Sequence, residues 1–283
     1  MNIFKKLKEK MKQPKTKRTL YFTLFGIFCA VFIVSAIFIA DYFIESAKQK
    51  KRYNELSGNK NEVQQIIDNA PTTPGGDLDP EGDYPFDLES PILPEYQDAY
   101  AQNNDLVGWI RIDGTVIDYP VMQHLEEKDY YLERNFDEEY SKHGCIYVRE
   151  QCHVFDPLTS DNIVIYGHYK QDGSMFHDLH GYYKESFWKE HQFIEFDTIY
   201  AHHTYQIIGA FKTNVSSSDF FPYHRFNDAQ SEEEFNDFIS TVKSLSFYDT
   251  GVTAEYGDKL ITLSTCEYTL SNGRLVVVAK RVS

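Results

Sequence analysis

Cysteine is scarce in this chain. There are four in 283 residues, at Cys29, Cys145, Cys152 and Cys266, and no two have CxxC spacing. That excludes a zinc ribbon and a thioredoxin-type redox site. Cys145 and Cys152 are near in sequence, but an extended strand from Cys145 would hold them roughly 20 Å apart, so no disulfide framework is expected. Basic residues are scarce too, except at the amino terminus. Residues 1–52 hold 12 Lys/Arg against 3 Asp/Glu, leaving 16 against 40 in the rest, a net charge of −24. So acidic a body repels phosphate and excludes nucleic acid as a partner. Internal repeats are absent. The histidine pairs His177/His180 and His202/His203 lack a nearby cysteine or carboxylate to complete a zinc set, so neither metal nor cofactor is expected.

One long apolar run is present. Leu20–Ala40 contains 21 uncharged residues, enough helix for about 30 Å of hydrocarbon. Lys5, Lys6, Lys8, Lys10, Lys12, Lys15, Lys17 and Arg18 precede it, opposed only by Glu9, and Tyr21 and Tyr42 stand at its interfacial ends. The run is too long for a signal-peptide core, and no A-x-A cleavage site comes after it. The positive-inside rule puts residues 1–19 in the cytoplasm, makes 20–40 a single-pass signal anchor, and exports the chain from residue 41 onward.

In the exported part, residues 41–70 continue as a polar helix, and 71–92 form a linker rich in Pro, Gly and Asp. Residues 93–283 are the candidate catalytic domain. It begins with a short helix over Glu95–Asn103, then two strands around the Asp113-Gly114 turn. Further strands are expected at Cys145–Val148, Asn162–Tyr166, Phe193–Phe196, Thr204–Phe211, Lys259–Thr265 and Leu275–Val282. The 21 Tyr and 21 Phe suit such half-buried pleated surfaces. Eight short strands suit a closed barrel. Ser231–Ser244 reads as an amphipathic helix, with Phe235, Phe238, Ile239 and Val242 on one face, Ser231 as cap and Glu234 completing a capping box. The class is mainly β: an eight-stranded barrel with peripheral helices behind one transmembrane helix.

Chemistry concentrates near the carboxy terminus. If Ile261–Thr265 and Leu275–Ala279 pair antiparallel around a Ser271-Asn272-Gly273 turn, Cys266 and Arg274 face the same mouth of the barrel. A guanidinium beside a thiol favours the thiolate, and its paired donors suit an oxyanion or peptide carbonyl. Ile163–Gly167 is a strand that delivers His168 at its end, and imidazole is suited to proton transfer near neutral pH. Singly, each of these residues is ordinary. Their conjunction points to nucleophilic catalysis.

The segment Thr262-Leu263-Ser264-Thr265-Cys266, the downstream Gly273-Arg274 with Val276-Val277-Val278, and Tyr166-Gly167-His168 upstream resemble the sortase family. Val107-Gly108-Trp109-Ile110, Ile117-Asp118-Tyr119-Pro120-Val121 and the helix before the nucleophile strand resemble its class B. The likeness covers roughly residues 93–283. It implies a sortase-type barrel and a membrane-anchored cysteine transpeptidase from a Gram-positive host. Such an enzyme cuts the C-terminal sorting signal of surface proteins after Thr, forms a thioacyl-enzyme, and passes the protein to a peptidoglycan-precursor amine. The resemblance implies Cys266 as nucleophile, His168 as proton-transfer partner and Arg274 as charge stabiliser. Thr265, Glu267, Tyr166 and Ser264 are candidate substrate contacts, with one of the Ser264 and Thr265 hydroxyls in the groove and the other packed inside.

Three other readings share these features. A pilin-polymerising sortase would use a lysine acceptor. A secreted thiol protease would only hydrolyse, although papain-like enzymes place Cys before His and His168 here precedes Cys266. A binding domain with an incidental cysteine would survive alkylation of Cys266.

Overall fold

A computed structural model describes residues 14–72, 78, 82, 84–218, 220–270 and 272–283, with side chains from residue 18 onward. Most of the basic tail, much of the 71–92 linker and Ser271 of the expected turn lie outside the described residues. The chain divides into two units, Met1–Lys48 and Gln49–Ser283.

Helix α1 (Pro14–Asn69) covers both the apolar run and its polar continuation. It is described from Pro14 and ends just ahead of Pro71, which disfavours helical backbone at Ala70. Its amino-terminal stretch is long and apolar enough to cross a membrane, and Phe22, Phe25, Phe28 and Phe32 along it are exposed.

In the second unit, eight strands form a closed barrel in the order β1-β2-β3-β4-β7-β8-β6-β5. They are β1 (Leu106–Arg111), β2 (Asp118–Met122), β3 (Ile146–Val148), β4 (Asn162–Tyr166), β5 (Phe193–Thr198), β6 (Thr204–Asn214), β7 (Leu260–Glu267) and β8 (Gly273–Arg281). Pairs β2/β3 and β4/β7 are parallel, and the other pairs are antiparallel. Helices α2 (Pro94–Gln102), α3 (Glu185–Glu190) and α4 (Glu232–Leu245) lie around the barrel.

Alternation along the strands separates two cores. Ile261, Leu263, Leu275, Val277 and Ala279 point into the barrel with Ile110, Val121, Ile165 and Phe196. Leu260, Val276 and Val278 point outward and are covered by Phe235, Phe238, Ile239 and Val242 of α4. Ser231 caps α4, its Oγ accepting from the Glu234 amide at 3.2 Å. The Glu234 carboxylate accepts from the Gln230 amide at 2.8 Å, one residue upstream of its partner in a regular capping box.

The carboxy-terminal half of α1 belongs to the barrel unit. Tyr53 and Leu56 are buried in its main core, and the Tyr53 hydroxyl donates to the Gly144 carbonyl at 3.2 Å. Arg52 reaches Asp137 through three hydrogen bonds of 2.6–3.1 Å. The Lys60 ammonium lies 4.7 Å over the Trp109 ring and 3.6 Å from Asp118.

Candidate active site

Strands β7 and β8 pair two residues further toward their turn than the sequence pattern implies. Cys266 lies directly opposite Arg274, and Glu267 opposite Gly273. Directly opposed residues of an antiparallel pair share a face. Ser264↔Val276 and Thr262↔Val278 are in register with them, so Cys266 and Arg274 stand on the outer, α4-covered face of the sheet near its end. The shorter strands expected from the sequence aim them at the barrel mouth. The longer ladder turns both side chains onto the outer wall instead.

His168 is delivered by β4, whose last ladder bond runs from the Gly167 amide to the Ser264 carbonyl at 3.2 Å. A Cβ at Gly167 would sit 2.6 Å from the buried Phe176 ring and against Ile146, so glycine lets the chain leave the barrel here. The His168 Nε2 then meets the Leu132 carbonyl oxygen at 2.8 Å. Partial burial and the nearby Lys170 ammonium both lower the His168 pKa below the ordinary imidazole value of 6.5, which favours neutral imidazole at pH 7.

Cys266, Arg274, His168, Tyr166, Ser264 and Thr265 line one cleft of about 430 Å³. Of the paired hydroxyls, Ser264 faces outward and shares a 2.8 Å hydrogen bond with the Tyr223 phenol, whereas the Thr265 hydroxyl is buried without a hydrogen-bond partner. Tyr166 packs on Tyr147, ring centroids 5.5 Å apart. Glu267 stands apart from the cleft lining. It is buried, and its carboxylate accepts from the amides of Thr269 (2.9 Å) and Leu270 (3.0 Å), which ties it to the β7–β8 turn. Burial works to raise its pKa, but the hydrogen bonds from Thr269 and Leu270 oppose this, and the carboxyl is held below the usual carboxylate value. The Arg274 Nη1 donates to the Gly273 carbonyl at 2.9 Å, which steadies the guanidinium over the cleft.

Among the cleft residues that escaped the sequence reading are Leu132, Arg149, Tyr223 and His224. Leu132 acts through its backbone, which the residue type cannot signal. Arg149 donates to the His224 carbonyl and, at 3.3 Å, to Asn227 Oδ1, so it fastens the β6–β7 connection across the cleft. Lys128, Arg149, Arg225 and Arg274 against Asp129 and Glu150 make the lining net cationic on an otherwise acidic body.

The other cysteines are free thiols. Burial pushes Cys145 up to about 12 and Cys152 up to about 11, so both are inert near neutral pH. No cluster of three metal-ligating side chains occurs among the described residues.

A sortase-domain family model matches residues 110–282. The chain belongs to the sortase family. Its curated relatives place it in class B: it is 33% identical to sortase B of Staphylococcus aureus (strain NCTC 8325 / PS 47) over 191 residues, covering 67% of this chain and 75% of that protein. It is 32% identical to sortase B of Listeria monocytogenes serovar 1/2a (strain ATCC BAA-679 / EGD-e) over 194 residues, covering 68% and 76%. Among solved structures it resembles a Staphylococcus aureus sortase B–substrate complex, with a TM-score of 0.69 and 27% identity over 85% of this chain and 99% of that one. It also resembles sortase B of B. anthracis in complex with AAEK1, with a TM-score of 0.65 and 28% identity over 85% and 99%. This sortase is therefore a cysteine transpeptidase with the eight-stranded barrel of its class.

Proposed function

We propose that this sortase cleaves the C-terminal sorting signal of exported proteins after Thr and transfers them to a cell-wall amine. The observation that carries the reading is the cross-strand pairing of Cys266 with Arg274 on one wall of the cleft that His168 also lines. The Cys266 sulfur attacks the scissile carbonyl as its proton passes to His168. Arg274 donates to the oxygen as negative charge develops there. His168 returns the proton to the departing amine as the C–N bond breaks, leaving a thioester on Cys266. The incoming amine attacks that thioester, His168 takes its proton, and the Cys266 sulfur leaves. Tyr166, half-buried in the cleft wall, contacts the signal peptide, while the buried Ser264 and Thr265 shape the strand behind it. Glu267 contributes by shaping the turn beside Arg274.

The partners in this reading are surface proteins bearing the signal and a peptidoglycan precursor bearing the amine. Class B membership favours wall anchoring over pilin polymerisation. The apolar stretch of α1 serves as a single-pass anchor over 20–40, with the Lys-rich tail in the cytoplasm and the barrel outside a Gram-positive cell. The deciding experiment is intact-mass analysis of the protein with a library of sorting-signal peptides, with and without an amine. An adduct on Cys266 that transfers to the amine supports the reading. Hydrolysis indifferent to the amine would make the protein a thiol protease.

A further inference from the structure

The β4–β7 ladder stops at Ser264, because β4 turns away at Gly167 to deliver His168. The next carbonyl on that edge of β7 belongs to Cys266 itself, and β4 offers it no amide. His180 takes that place, its Nε2 3.0 Å from the Cys266 carbonyl oxygen. A carbonyl only accepts, so Nε2 carries a proton and donates.

The same ring holds the His168 loop. His180 stacks on Tyr169, the residue after His168, at 4.1 Å between centroids and 26° between planes. His177, one turn earlier in the 3-10 helix His177–Tyr183, stacks on Tyr169 at 4.8 Å. Its Nδ1 lies 2.7 Å from the Lys170 carbonyl. The loop closes on itself where the Phe176 amide donates to the His168 carbonyl at 2.9 Å. One imidazole thus touches the backbone of the nucleophile and the neighbour of the proton carrier.

We propose that His180 is a positioning residue for the transpeptidation centre: it replaces the missing strand partner of Cys266 and locks the nucleophile to the His168 loop. The proposal rests on Cys266 and His168 being the reacting groups. The Cα–Cβ direction of Cys266 depends on the peptide plane that His180 holds, so loosening that plane misaims the sulfur relative to Arg274 and His168. Misaiming lowers the chemical step while leaving peptide binding along the cleft intact. Burial holds the His180 pKa below its ordinary value, consistent with a neutral donor at pH 7.

Two substitutions in the full-length protein, in detergent, separate the hydrogen bond from the stacking. His180→Phe keeps a ring on Tyr169 but has no donor, and His180→Gln restores an N–H near the Nε2 position. The readouts are steady-state turnover of an Asn-Pro-x-Thr peptide and the pH dependence of Cys266 alkylation by iodoacetamide. His180→Phe is expected to lower kcat about fivefold to tenfold with KM within about twofold, the scale of one hydrogen bond to a reacting residue's backbone. It should also change the pH dependence of Cys266 alkylation relative to the wild type. His180→Gln should recover most of both. Normal kcat and an unmoved alkylation profile in a folded His180→Phe protein would overturn the proposal, as would a change confined to KM or no recovery with Gln. Alkylation needs no sorting signal. If the wild type fails to turn over the peptide, the function reading is at fault, and the alkylation profiles still judge His180.

Discussion

The His168 Nε2 lies 2.8 Å from the carbonyl oxygen of Leu132. Because that oxygen can only accept, Nε2 holds a proton and the neutral ring presents Nδ1 as its basic nitrogen. Nitrogen-15 NMR of histidine-labelled protein at pH 8 should find His168 as the Nε2–H tautomer. A Nδ1–H tautomer would assign the proton transfer to the other nitrogen.

The cross-strand pair Cys266 and Arg274 gives a second expectation. Cys266→Ala should abolish the acyl-enzyme adduct in mass spectra. Arg274→Lys, which loses the planar two-donor fork, should reduce kcat by about a hundredfold or more with a smaller change in KM. Near-normal turnover would reduce Arg274 to a strand charge.

Thiol labelling should discriminate sharply. Burial raises Cys145 and Cys152 far above neutral pH, so iodoacetamide at pH 8 should label Cys266 and spare both in the folded protein. Their rapid labelling would mean that the barrel core opens on the experimental timescale.

Stability should fall in mild acid. Burial lowers the folded-state pKa of His168, His180, His203 and His224 below 6.5. Just below pH 6.5 the unfolded chain therefore binds more protons at these sites, and each contributes destabilisation as pH falls. His202 opposes them: its hydrogen bond to Asp197 raises its pKa, a contribution present below 6.5 and lost as pH rises through the folded value. With four histidines against one, Tm should drop from pH 7 to pH 5. A Tm that rises over this interval would contradict the balance.

The lower part of α1 should behave as part of the barrel. Leu56 is buried in the main core, so Leu56→Ala should cost about 2–4 kcal/mol in denaturant unfolding. Deleting residues 1–43 should leave an active protein, whereas extending the deletion through residue 69 should lower its Tm and activity together. The Tyr53 hydroxyl meets Gly144, and the next amide, Cys145, donates to the Tyr131 carbonyl at 3.0 Å, beside the Leu132 that holds His168. An unchanged Tm in the longer deletion would show that the helix is dispensable.

Much of this protein is legible in its amino-acid sequence. Apolar runs, alternation and turn signals located the eight strands, and an amphipathic period located α4, because a buried strand and a one-sided helix each leave their own pattern. The charge asymmetry and apolar run marked the candidate anchor. Cys266, His168 and Arg274 stood out because strand ends carrying such residues are few, and the structure brings the three to one cleft.

Other features depended on partners remote in sequence, and only the tertiary structure could decide them. The ladder between β7 and β8 runs on to Glu267↔Gly273, and side chains alternate with every residue, so that register alone set the face on which Cys266 and Arg274 stand. Ser264 and Thr265 were separated by the same alternation. Glu267 was free in the sequence to reach a substrate and is instead bound to the turn amides. Leu132 holds His168 through a carbonyl that every residue possesses, and His180 meets Cys266 across 86 positions of chain. The sequence determined which groups were available and which segments were strands; closure of the barrel decided which groups met, because hydrogen bonding to backbone depends on where the chain passes and hardly on what it is made of.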